Sequence, residues 1–303
     1  MSTSPAPHAP ASAATGPDAG TAADTATDTA TGPAVETGAG TAAAPASATA
    51  SPSPVSVPAP AGTAVLKNPL FPDGPAADPA GSHGERRVRS FHPRRGRLTV
   101  TQADAVERLW RRWGVEVDGS PLDPAALMPG LPVVLEIGFG MGEATAAMAA
   151  ADPGTGILAV DVHTPGQGNL LHLAEREGLT NVRVANGDAV VLLRDMLPPA
   201  SLAGLRVYFS DPWPKKRHHK RRLIQPDFVA LAVSRLRSGA VVHLATDWEP
   251  YAEQMLEVLS AEPELENLHD GYAPRPDFRP LTKFERQGLA KGHVVNDLLF
   301  RRR

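Results

Sequence analysis

Between Leu131 and Leu259 the chain alternates short apolar runs with longer helical patterns, and few folds accommodate that rhythm. PVVLEIG, GILAVDV, NVRVANG, LRVYFS and AVVHLATD are the five runs. Between and after them lie the alanine-rich stretch 142–151 and helical patterns at 167–177, 189–196, 226–237 and 250–259. Runs that are apolar on both sides, separated by helices, predict a parallel sheet covered on both faces. Ligands of such sheets bind outside the carboxyl ends of the strands. Five acids stand at or just beyond those ends: Glu136, Asp161, Asp188, Asp211 and Asp247. Any one of them taken alone reads as a helix cap or loop acid. Five in succession predict a lined cleft.

The first run ends in Glu136-Ile137-Gly138-Phe139-Gly140-Met141-Gly142. Glycine there lets the backbone turn sharply and approach a ligand without a Cβ in the way. The spacing G-x-G-x-G departs from the dinucleotide fingerprint G-x-G-x-x-G and favours S-adenosylmethionine over NAD. An acid just before the glycines would pair with a cationic amino-acid moiety and repel a pyrophosphate. Asp161 is placed for ribose hydroxyls, which both cofactors carry, so it does not discriminate. Asp188 is placed for the adenine amine.

After the fourth strand comes SDPWPKKRHHKRR, an acid and an aromatic ring followed by Lys215, Lys216, Arg217, Lys220, Arg221 and Arg222. Charge runs are usually solvated loops. Joined to a cofactor-side acid, this one points to an enzyme acting on a polyanion. Whole-chain charge hides the clustering. Residues 1–80 carry six acids and one base, which leaves 27 acids against 29 bases in the remainder of a chain whose net charge is −3. Affinity for a polyanion must therefore come from local clusters, and 86–97 supplies a second one with six arginines.

Composition bounds the rest. Residues 1–85 are rich in Ala, Thr, Pro, Gly and Ser. So few large apolar side chains cannot offset the entropy of ordering, which predicts a disordered tail ahead of one domain at 86–303. Met1 is followed by no secretory-leader pattern and no run reaches the length of a membrane span. Cysteine is absent, which excludes disulfides, thiolate metal sites and a cysteine nucleophile, and makes a cytoplasmic protein the default. His218 and His219 have no partners at ligand spacing, so no metal is expected.

The stretches SDPWPKKRHHKRRL, HLATDWEPYAEQM and RPLTKFERQGLAKGHVVNDLLF, with EIGFGMG and the lead-in RRGRLTVTQADA, resemble the bacterial tRNA (guanine-N7)-methyltransferase family from about Arg94 to the C-terminus. The resemblance implies a Rossmann-like class I α/β fold, a mostly parallel seven-stranded sheet with helices on both faces. It also implies S-adenosylmethionine as cofactor and formation of 7-methylguanosine at guanosine 46 of the tRNA variable loop. Carried over by motif, Glu136, Asp161, Asp188 and Asp211 match the cofactor-site acids beside Gly138 and Gly140. Lys215, Asp247, Thr282, Lys283, Phe284 and Glu285 match substrate-binding positions, and Arg217, His218, His219, Lys220, Arg221 and Arg222 the RNA-contacting strip. Ser210 stands where the family has proline, Asp161 where glutamate is commoner, and Gln287 where an arginine is usual.

The chemistry fits these residues. Guanine N7 carries an in-plane lone pair and needs no base to remove a proton, so orientation does most of the work. Transfer leaves positive charge on the purine, which a nearby acid would stabilise; Asp211 is the catalytic candidate and Asp247 its neighbour. The strip would position phosphates. Trp213 is read either as a stacking platform or as a ring wedged into the core. Glu285, two residues from Lys283, is placed to accept from the guanine N1–H and amine edge, and His293 reads as a structural histidine. Two alternatives stand beside this reading: an exocyclic-amine methyltransferase, since DPW resembles that class's motif, and a non-catalytic RNA-binding module. Nothing in the residues separates a monomer from a homodimer.

Overall fold

The structure, a computed structural model, describes residues 96–290 and 292–303, apart from the side chains of Lys283, Phe284 and Gln287. The expected disordered segment 1–85 and most of the first arginine cluster lie outside the described residues.

In chain order the elements are α1 (Val100–Trp113), β1 (Gly114–Glu116), α2 (Pro124–Leu127), β2 (Val133–Ile137), α3 (Glu143–Ala151), β3 (Gly156–Asp161), α4 (Thr164–Arg176), β4 (Val182–Asn186) and α5 (Ala189–Val191). A π-turn at Leu192–Met196 leads to β5 (Leu202–Tyr208), and a 3-10 turn at Lys216–Arg221 leads to α6 (Pro226–Arg235). Then follow β6 (Leu236–Thr246), α7 (Glu249–Ala261), β7 (Leu265–Asn267), α8 (Lys283–Leu289) and β8 (Asn296–Arg302). The sheet order is β1-β4-β3-β2-β5-β6-β8-β7. Pairs from β1 through β6 are parallel, whereas β8 runs antiparallel to both β6 and β7.

This is the Rossmann-like class I architecture, with one strand more than the seven expected. The extra strand is β1, three residues paired to the outer edge of β4. A segment that short carries no legible alternation, and it begins where α1 stops. α1 itself is well specified: Thr99 and Gln102 form a reciprocal capping box, and Ala105, Val106, Leu109, Trp110 and Trp113 make its buried stripe.

Alternation along the strands splits the core in two. Ile157 and Ala159 of β3 pack with α1, α3 and α4, while Leu158 and Val160 face the opposite layer with α6 and α7. The chain leaves β2 outward through β3 and β4, then crosses back to pair β5 on the other side of β2. That reversal opens a crevice at the carboxyl ends of β2 and β5.

Candidate active site

The glycine loop closes over the end of β2. Gly138, Gly140 and Gly142 have φ of +79°, +60° and +80°, which explains glycine at these turns. A Cβ on Gly138 or Gly140 would meet no atom within 4 Å, so the open side of the loop faces empty space. From the opposite side, a Cβ on Gly166 of α4 would overlap the Gly140 carbonyl oxygen. Only glycine at 166 lets α4 press against the loop. Asp161 ties the contact together: one carboxylate oxygen accepts the Gly140 amide at 2.9 Å and the other the His163 amide at 2.9 Å. Burial raises this carboxyl above its ordinary value against the pull of those amides.

Beyond the loop lies a cleft of about 310 Å³. Gly138, Gly140, Asp161, His163, Asp188 and Asp211 are among its lining residues. Asp188 also caps α5, accepting the Val190 amide at 2.8 Å. Glu136 is placed differently: it is 3% exposed and stands beneath the loop rather than on the cleft wall. Burial lifts its carboxyl to about 7, with the Arg206 charge on the neighbouring strand opposing the rise. Its Oε2 has no hydrogen-bond partner in good geometry among the described residues, the Thr145 hydroxyl being close enough only to oppose the rise. An orphaned carboxylate oxygen beside a glycine loop fits a ligand that brings an ammonium group, as S-adenosylmethionine does.

Asp211 lies between two strained residues. Phe209 and Trp213 have φ of +52° and +44°, a left-handed conformation that costs bulky side chains energy and that clusters at functional sites. The cationic turn follows closely. Lys215, Lys216, Arg217 and Lys220 are exposed, and His219 is half-buried. Trp213 is engaged from within the turn, with Arg221 over its ring at 5.1 Å and His218 edge-on at 5.9 Å. Partial burial, then the charges of Arg217, Arg221 and Lys215, hold His218 below the usual imidazole range.

Arg222 requires a correction. It is 3% exposed and points inward, donating to Pro212 O at 2.8 Å, to Gln254 Oε1 at 2.5 Å and to Pro250 O at 3.3 Å. Its guanidinium lies 4.8 Å from the Tyr251 ring. Held this way it ties the turn to α7 and offers no surface to RNA.

The C-terminal motif corrects a second expectation. Thr282 caps α8, and Glu285 completes the capping box. Glu285 is 3% exposed, and both of its oxygens accept from Arg279 at 2.7 and 2.8 Å, so its carboxylate is closed to a guanine edge. The Lys283 and Phe284 side chains are outside the described set. Asp247 is exposed, with Oδ2 at 3.4 Å from His293 Nδ1.

Residues 131–298 match the family model described as "Putative methyltransferase". The tRNA (guanine-N(7)-)-methyltransferase of Streptomyces avermitilis is 74% identical over 243 residues, 79% of this chain and 84% of its own length. The chain belongs to this family. The tRNA (guanine-N(7)-)-methyltransferase of Bordetella pertussis is 57% identical over 222 residues, 73% of this chain and 87% of its own. Among solved structures, the 16S rRNA methyltransferase KamB superposes with a TM-score of 0.46 at 18% identity, over 59% of this chain and 92% of that one.

Within this methyltransferase, four residues with no expected role join in one set, half-buried Tyr208 with buried His243, Arg279 and Asp297. A signal was present. His243 interrupts the apolar run AVVHLAT and Asp297 the run VVNDLLF, and a titratable side chain set among apolar neighbours demands a partner. No group of three or more potential metal ligands occurs among the described residues, and no described helix is long and apolar enough to cross a membrane.

Proposed function

We propose that this enzyme transfers a methyl group from S-adenosylmethionine to N7 of guanosine 46 in the tRNA variable loop. The observation that carries the reading is the position of Asp211, on the wall of the cofactor-sized cleft and a short step along the chain from the cationic turn at Lys216–Arg221. The cofactor supplies an electrophilic sulfonium methyl. This chain's residues do the remainder. Glu136 supplies negative charge toward the ligand's ammonium from beneath the glycine loop, and Asp161 and Asp188, on the cleft wall, take the nucleoside side. Lys215, Arg217, Lys220 and Arg221 hold phosphates, with Asp247 and Thr282 near the base. Because N7 needs no deprotonation, Asp211 acts by stabilising the positive charge that develops on the purine. Family membership and the tRNA named for its relatives support the substrate class.

Mass spectrometry of tRNA nucleosides after incubation with labelled S-adenosylmethionine tests this. Labelled 7-methylguanosine that disappears when guanosine 46 is replaced by adenosine is expected; 6-methyladenosine as the product overturns the reading.

A further inference from the structure

Arg279 is 1% exposed and makes two parallel-bonded ion pairs at once. Its Nε and Nη2 donate to Asp297 of β8 at 2.8 and 2.9 Å, and its Nη1 and Nη2 to Glu285 of α8 at 2.7 and 2.8 Å. Asp297 also bonds His243 Nε2 of β6 at 2.7 Å, and the other ring nitrogen meets the Tyr208 hydroxyl of β5 at 2.9 Å. The guanidinium lies 5.9 Å from the Tyr208 ring and 5.7 Å from that of Phe209, which lines the cofactor cleft. One side chain thus joins α8 to three strands and to the cleft wall.

Stability alone is a poor explanation for such a cluster. Well-packed apolar residues often match or exceed a buried ion set in stability, because desolvating the charges costs so much. What a planar guanidinium supplies is geometry: two adjacent edges of its fork fix two carboxylates in direction as well as distance. Here one carboxylate belongs to the sheet and the other to the first turn of α8, where Glu285 closes the cap on Thr282. The last turn of α8 meets Asp247, whose Oδ2 lies 3.6 Å from where a Cβ on Gly288 would stand.

We infer that Arg279 is a positioning residue for guanosine binding, holding α8 in register with the end of β6 so that Thr282 and Asp247 meet the substrate together. Glu285 acts through Arg279 and does not touch the base. This rests on the tRNA reading above.

The test compares Arg279→Lys, Glu285→Gln and the double variant, with calorimetric S-adenosylmethionine binding as the check on folding. Arg279→Lys should raise KM for tRNA about tenfold or more while kcat changes less than about threefold. The double variant should be no worse than the poorer single one, because both changes open one clamp. Glu285→Gln should leave the preference for guanosine over inosine at position 46 unchanged. KM effects that multiply in the double variant, or a lost guanosine preference in Glu285→Gln, overturn the inference and return Glu285 to base reading. Should Arg279→Lys fail to bind cofactor, Asp297→Asn loosens the same clamp from the strand side; an unchanged KM there overturns the inference equally. A wild-type protein that makes no 7-methylguanosine in the same assay refutes the parent reading instead.

Discussion

The Arg222 side chain donates from Nε to the carbonyl of Pro212 at 2.8 Å, so the last cation of the basic segment folds back onto its beginning. The loop carrying Asp211 is thereby closed by a buried charge rather than left as a solvated run. The cations divide accordingly: Lys215, Lys216, Arg217 and Lys220 face outward, half-buried Arg221 lies over Trp213, and Arg222 braces from within.

Two variants separate those roles. Replacing Arg217, Lys220 and Arg221 with alanine should flatten the salt dependence of tRNA binding by about 0.7 to 0.9 log units for each phosphate no longer neutralised. Arg222→Ala should leave that slope unchanged and lower the unfolding free energy by about 1–3 kcal/mol, since buried acceptors lose their donor. Binding titrations across a salt series, beside denaturant melts, read both. A changed slope in Arg222→Ala would place it back in the strip.

Asp211→Ala should reduce single-turnover methyl transfer about a hundredfold or more while tRNA affinity stays within about threefold. Rapid-quench kinetics measures the step directly. Turnover close to wild type would leave Asp211 only the task of shaping the loop between Phe209 and Trp213.

Glu136 sets a pH dependence whose sign is fixed by its raised value. Burial lifts it from 4.5 to about 7, so the folded protein retains a proton that the unfolded chain has released. The ligand-free protein should therefore lose stability as pH rises through the window from 4.5 to 7, by about 3 kcal/mol in total. Glu136→Gln should abolish this dependence and melt at higher temperature at pH 8. Cofactor affinity should run the other way, strengthening as the carboxyl ionises. Melts of Glu136→Gln that parallel wild type across pH 5–8 would refute the assignment.

Gly166→Ala drives a methyl group into the Gly140 carbonyl, an overlap no rotamer can relieve. α4 or the glycine loop must shift, at a cost of about 1–3 kcal/mol, and the Asp161–Gly140 bond must lengthen or break. Cofactor affinity, measured by calorimetry, should fall by more than about tenfold. Unchanged affinity would mean that the loop tolerates displacement and that its packing on α4 does not shape the cleft.

Much of this was legible residue by residue. The five core strands and their terminal acids could be read because apolar runs and turn glycines are local signals, and the structure brings Asp161, Asp188 and Asp211 to one cleft. β1 was not legible: three residues cannot show a period, and the strand exists only because α1 delivers it to the edge of β4. Nor was the role of Arg279, which sits in a loop whose composition looks solvated.

Five core strands of the sheet, the glycine loop and the cationic segment after the fourth of those strands are written in local sequence. These follow from periodicity and from backbone demands that neighbouring residues settle among themselves. Which charged side chains stay exposed and which turn inward depends instead on partners distant in the chain. Arg222 turns inward because Pro212 and Gln254, ten and thirty-two positions away, supply its acceptors, and Glu285 closes because Arg279, itself held by Asp297 of β8, donates to both of its oxygens. A charged side chain reads alike in a sequence whether solvated or buried, and the partner that offsets its desolvation is chosen by the fold.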